Sequence, residues 1–127
     1  KLWMSWKHLG TPGLGVLVEK TVDLAEALKA RLRASDDFEL AEESNLSVVC
    51  FRHLPDGTDG ADAPGRDGVD VHQDAVQSAL QLSGRSFLTT TRLRGRTWLR
   101  AGILNHTATE ADLDILLDDV RDLAAGL

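Results

Sequence analysis

A single cysteine, Cys50, stands in the 127 residues, so no internal disulfide can form. Its apolar strand context reads as a packed thiol rather than a reactive one, which fits a reducing, cytoplasmic compartment. No apolar run approaches 18 residues, and no basic, apolar and small-residue succession marks a signal peptide, so neither a membrane span nor an export signal is visible. Basic charge is also short. Lys and Arg number 14 against 20 Asp and Glu, a net charge of −6, which argues against generic nucleic-acid binding or an anionic membrane surface. The densest cationic run, Arg92, Arg94, Arg96 and Arg100, lacks the interleaved aromatics of a stacking platform. Local catalytic signatures are missing as well: there is no GxSxG, P-loop, HExxH, CxxC or GxGxxG.

What is present is the pattern of one α/β domain, with 43% hydrophobic residues to fill one core. Leu2, Trp3, Trp6 and Leu9 carry helical periodicity without an N-terminal cap, and the segment stops at Gly10. Thr11-Pro12 restarts a long helix expected to end near Ser35, with Leu14, Leu17, Thr21, Leu24, Leu28 and Leu32 on its inner stripe. Residues 37–41 alternate as a half-wet strand. Leu46–Phe51 is a nearly unbroken apolar run, a central strand covered on both sides, and Glu42–Asn45 connects the two as antiparallel neighbours. Arg52 and His53 close that strand, His53 as a solvated end residue.

Residues 55–68 hold four turn pairs, Asp56-Gly57, Asp59-Gly60, Pro64-Gly65 and Asp67-Gly68, in a polar stretch expected to be a flexible loop. Their spacing fails the EF-hand pattern, so no calcium site is assigned. Asp70 is placed as the cap of a helix running to Leu82. His72 lies in its first turn with Val76 at i+4, which leaves no helical metal pair. Phe87–Leu93 and Thr97–Asn105 form a hairpin through Arg94-Gly95, and Thr107-Ala108-Thr109-Glu110 is read as a capping box for a last helix with Leu113, Leu116, Leu117, Val120 and Leu123 inward. The sum is an α/β sandwich of the α+β type: a small, mostly antiparallel four-stranded sheet with helices on one face.

Arg100 is the residue this pattern does not absorb. Alternation puts Trp98, Arg100, Gly102 and Leu104 on one face of the hairpin strand and Leu99, Ala101 and Ile103 on the other. A guanidinium in an otherwise apolar strand needs water or an anion. Two readings follow: a snorkelling arginine on an exposed sheet face, or a carboxylate-binding arginine facing a partner domain.

The ordered set Lys1-Leu2-Trp3, His8-Leu9-Gly10-Thr11-Pro12-Gly13-Leu14, Leu46-Ser47-Val48-Val49-Cys50-Phe51-Arg52, Trp98-Leu99-Arg100-Ala101 and Asn105-His106-Thr107 resembles the C-terminal portion of group II pyridoxal-phosphate-dependent amino-acid decarboxylases. That group includes the aromatic-L-amino-acid, glutamate and 2,4-diaminobutyrate enzymes. The resemblance covers essentially the whole chain. It implies a single small domain over 1–127, as in fold-type I enzymes, with residues 1–10 the end of a helix from a large cofactor domain outside this chain. It also implies a homodimer acting on a small-molecule amino acid, aromatic or diamino acids being favoured by the Cys50-Phe51-Arg52 stretch. The family holds pyridoxal 5′-phosphate on a lysine preceded by histidine. None of Lys1, Lys7, Lys20 and Lys29 has that neighbour, so no catalytic or cofactor-binding residue is assigned in this chain, which alone is expected to be inactive. By position in Trp-Leu-Arg-Ala, Arg100 resembles the family's substrate-carboxylate arginine, which orients the Cα–carboxylate bond perpendicular to the cofactor ring. The competing reading is a stand-alone ligand-binding or dimerisation module.

Overall fold

A computed structural model describes residues 1–42, 46–55 and 66–127. Three helices, α1 (Leu2–Arg33), α2 (Arg66–Ser83) and α3 (Glu110–Ala125), pack on one face of a sheet of four strands, β1 (Phe38–Leu40), β2 (Val48–His53), β3 (Thr89–Leu93) and β4 (Arg96–Gly102). The strand order is β1-β2-β4-β3, and every pairing is antiparallel. The expected α+β sheet with helices on one face is therefore the fold found.

One core joins the layers. Leu24, Ala25, Leu28 and Leu32 from α1, Val76 and Leu80 from α2, and Leu113, Leu117 and Val120 from α3 close over Phe38, Val49, Phe51, Leu88, Leu99 and Ala101 of the sheet side. Helical spacing selects the first set and strand alternation the second, so the two periodicities meet at a single apolar layer. α1 reaches this layer only with its C-terminal half. At Gly10 the backbone leaves helical geometry with φ 68° and ψ 173°, a conformation that favours glycine, and Pro12 follows. Before that break Leu2, Trp3, Met4 and Trp6 are exposed.

Several expected boundaries move, each for a local reason. β2 ends at His53 as expected, where β1 offers pairing partners, Glu39 to Arg52 and Phe38 to His53, but it begins at Val48 rather than Leu46. β4 stops at Gly102 rather than Asn105: its ladder with β2 ends at Val48, and Ile103 N donates once more, to Ser47 O at 2.8 Å, before the chain leaves the sheet. Its hairpin with β3 closes through Arg94 (φ 52°) and Gly95 (φ 74°), two left-handed residues in the manner of a type I′ turn. The last helix is capped at Thr109 and not at Thr107. The Asn105 carboxamide oxygen accepts from both Thr107 N and Thr107 Oγ1, and Asp112 instead accepts from Thr109 N at 2.8 Å.

α2 departs most. It starts at Arg66, so residues 66–68 are helical rather than loop, and Asp70 sits inside the helix rather than at its cap. The expected loop at 56–65 and most of the connection at 43–45 lie outside the described residues. Among the described residues no helix is long and apolar enough to cross a membrane, and no group of three His, Cys, Asp or Glu side chains gathers as a metal site.

Candidate functional site: the open face of the sheet

The ladder places Arg100 opposite Cys50 of β2 on one side and Thr89 of β3 on the other, in the middle of β4 and on the face away from the helices. Trp98 shares that face one pleat away, about 7 Å along the strand. Arg100 is exposed, and its guanidinium has no carboxylate partner among the described residues. This is the arginine singled out by pattern, found where alternation put it.

The rest of this face is not bare. Trp98 is 7% exposed and packs with Ala41 and Cys50, flanked by Val48 and Leu93. Its indole Nε1 donates to Leu93 O at 3.4 Å. Two guanidinium groups lie near its ring, Arg52 at 5.6 Å and Arg96 at 5.9 Å from the centroid. Glu39 sits between the two arginines, 3.5 Å from Arg52 Nη1 and 3.3 Å from Arg96 Nη1. The chain thus covers one half of its open face with its own charged side chains, and the half carrying Arg100 and Gly102 stays open. A cleft of about 270 Å³ beside Trp98, with Glu39 and Arg96 in its lining, does not include Arg100.

Arg52 was not legible as a site residue. Expected only as a residue closing β2, it is 2% exposed, the largest of the fully buried side chains among the described residues. Burial, and after it the neighbouring Arg96 charge, pulls its guanidinium below the usual arginine value, while Glu39 and Asp70 oppose that shift. A guanidinium stays charged through any such shift near neutral pH, so its partners matter. The closest is Asp70 of α2, whose Oδ1 accepts from Arg52 Nη2 at 2.9 Å and from Thr97 N at 2.9 Å.

That double contact explains how α2 enters the sheet. The β2–β4 ladder ends at Phe51 and Leu99, beyond which the strands part. Two side chains of one helical face fill the gap. Asp70 takes the Thr97 N–H, while Gln73, fully buried, accepts from His53 N at 3.0 Å and donates to His53 O at 2.7 Å. Backbone groups that would otherwise be buried without partners are satisfied by side chains.

Over residues 1–54 the sequence matches the family model for the pyridoxal-dependent decarboxylase conserved domain. The chain is similar there to the pyridoxal-dependent decarboxylases. Mouse acidic amino acid decarboxylase GADL1 is 26% identical over 97% of this chain, which spans 23% of the mouse protein. Bovine aromatic-L-amino-acid decarboxylase is likewise 26% identical, over 98% of this chain and 23% of its own length. Among solved structures, the glutamate decarboxylase domain of a Vibrio parahaemolyticus diaminobutyrate-pyruvate transaminase and L-2,4-diaminobutyrate decarboxylase superposes with a TM-score of 0.83 at 27% identity, covering 99% of this chain and 25% of that one. The chain therefore spans about a quarter of the decarboxylases it matches, and nearly all of it takes part.

The similarity to pyridoxal-dependent decarboxylases directs attention to the lysines. Lys20 Nζ donates to His106 O at 2.6 Å, Lys29 is buried against Glu26, and Lys7 lies over Trp3. None of these contacts is on the Arg100 face.

Proposed function

We propose that this chain is the small domain of a pyridoxal-phosphate-dependent amino-acid decarboxylase and that Arg100 binds the substrate carboxylate. The observation that carries the reading is the contrast along one sheet face: Arg52 and Arg96 are engaged by Glu39 and Asp70, whereas Arg100 is presented to solvent without a carboxylate of its own among the described residues. A planar guanidinium held at mid-strand donates bidentately to a carboxylate and fixes its direction. Pyridoxal phosphate supplies the electron sink for loss of carbon dioxide when it is bound, and the groups that hold it are assigned to the remainder of the parent protein. Within this chain the work is orientation. Backbone bonds on both sides, to β2 and to β3, fix the strand under Arg100, and Trp98 walls its flank.

The substrate is an L-amino acid. Relatives named for acidic, aromatic and diamino substrates are matched at 26%, 26% and 27% identity, so overall similarity does not choose among side chains. The Cys50-Phe51-Arg52 stretch puts aromatic and diamino acids first in a substrate panel. A homodimer in the cytoplasm completes the reading.

Steady-state kinetics of the intact protein test it. Arg100→Ala and Arg100→Lys are expected to lose tenfold or more in kcat/KM while retaining bound pyridoxal phosphate, because lysine keeps the charge without the planar fork. Wild-type kinetics in either variant, or loss of cofactor in both, would overturn the assignment.

A further inference from the structure

A second cluster of titratable groups lies outside the Arg100 face, at the end of the sheet where β2 and β4 part. His53 Nδ1 and His72 Nε2 stand 3.0 Å apart, with ring centroids 5.3 Å apart and planes tilted by 34°. At those two distances the nitrogens lie close to the line joining the rings. A lone pair on one ring then meets an N–H of the other head-on. Metal chelation would need both lone pairs to converge on a third point, so the arrangement is that of a shared proton.

The pair belongs to a larger fastening. Asp70, His72 and Gln73, successive contacts of one helical turn and its neighbour, bind respectively Thr97 N, the His53 ring and the His53 backbone. Gln73 Nε2 also donates to Val69 O at 3.2 Å, tying the side chain to its own helix. Around the rings, Phe38 of β1 presents an edge contact to His53 at 5.3 Å. Asp37, just before β1, faces them with its carboxylate held by Arg121 of α3 at 2.6 and 3.1 Å, and Arg121 also touches Asp118. Asp70 of α2 is turned away to Arg52, which faces the opposite side of the sheet. A cleft of about 380 Å³, with Asp37, His53, His72 and Arg121 in its lining, gives water access to the pair.

We propose that the His53–His72 proton bridge is an acid-releasable clip that holds the first turns of α2 to the ends of β2 and β4. With both rings neutral, one donates and the other accepts. One added proton leaves the bridge intact, an imidazolium donating to a neutral ring. A second added proton places two N–H donors and two like charges across 3.0 Å with no acceptor between them. The Asp37 carboxylate, held by Arg121, is also drawn to a charge on His53, which leaves His72 as the ring whose added proton meets a like charge across the bridge.

Burial acts in the same direction, lowering the His72 value below that of an ordinary histidine. A histidine depressed in the folded state stabilises the fold above its unfolded value of about 6.5, and that contribution is lost as pH falls below it. Opening of the α2 turns is therefore expected to grow by up to about tenfold per pH unit as the second proton is taken up. Since Asp70 and Gln73 loosen with the clip, the effect reaches the start of the strand that carries Arg100.

Hydrogen–deuterium exchange of the intact protein from pH 7.5 to 5.0, corrected for the intrinsic pH dependence of exchange, reads this without reference to catalysis. In the wild type, opening of residues 69–76 is expected to rise about tenfold or more across that range. In His72→Gln, which keeps hydrogen-bonding capacity without titrating, the corrected profile is expected to be flat. A flat wild-type profile, or an equal rise in His72→Gln, would overturn the proposal. Should the variant not fold, imidazole NMR titration of the wild type decides: two rings titrating in coupled, separated steps support the clip, and two independent titrations at the ordinary histidine value refute it.

Discussion

Asp70→Ala removes one carboxylate and strands two groups. Arg52, 2% exposed, keeps the longer 3.5 Å contact to Glu39 as its carboxylate partner among the described residues, and Thr97 N loses its 2.9 Å acceptor at a site where Thr97 is 6% exposed. Breaking a buried charge pair costs about 3–5 kcal/mol when no other partner remains, and an orphaned buried N–H about 1–3 kcal/mol. With Glu39 still near Arg52, the first figure falls toward its lower end or below, and the sum is roughly 3–5 kcal/mol. For a domain of this size that corresponds to a fall in Tm of roughly 10–20 °C. Asp70→Asn keeps an oxygen for Thr97 N and loses only the charge, so a smaller loss of about 1–2 kcal/mol is expected. The discriminating variant is Arg52→Met with Asp70→Ala. If the cost arises from an abandoned guanidinium, removing that guanidinium restores part of the stability lost in Asp70→Ala. Thermal and urea unfolding, with exchange at Thr97 N as the local readout, measure all three. A loss below about 0.5 kcal/mol in Asp70→Ala, within the range of ordinary surface changes, or a double variant no better than the single one, would refute the reasoning.

Two further outcomes are expected from the same structure. The Arg121 guanidinium holds the Asp37 carboxyl below the usual carboxylate range, so the pair stabilises the fold above the unfolded carboxylate value near 4 and ceases to do so as pH falls through the lowered folded value. For a pair this exposed the effect is at most about 1 kcal/mol, and Asp37→Asn is expected to differ from wild type at pH 7 but converge with it in acid-unfolding curves by about pH 2. In the β3–β4 turn, Gly95→Ala is expected to cost about 1 kcal/mol at φ 74°, whereas Arg94→Asn at φ 52° is expected to gain a few tenths, both read as Tm shifts of opposite sign.

The parts of the fold that could be read in advance are those governed by one periodicity at a time. The Leu24, Leu28 and Leu32 stripe, the apolar run through Phe51 and the Arg94-Gly95 turn each carry their own local signal, and each is found in its expected place. Arg100 was legible for the same reason, since alternation in β4 sets its face. Capping was legible only to within two residues: Thr107 and Thr109 each precede an acidic residue by three positions, and the Asn105 side chain decides between them. The Arg52 network was not legible, because its partners Glu39, Asp70, Arg96 and Trp98 come from three separate elements, β1, α2 and β4. The nearest signal was Glu39, whose register opposite Arg52 follows once β1 and β2 are paired. His53 and His72 meet only because α2 turns back onto β2, a tertiary fact with no local spacing to betray it.

The central claim is that Arg100 recognises a carboxylate. Its most direct test compares, on the intact protein, the affinity for a substrate amino acid with that for the corresponding amine, which lacks only the carboxylate. Wild type is expected to favour the amino acid by at least tenfold at low ionic strength, and Arg100→Ala to abolish that preference while binding the amine unchanged. A preference that survives in Arg100→Ala would place carboxylate recognition elsewhere and contradict the account.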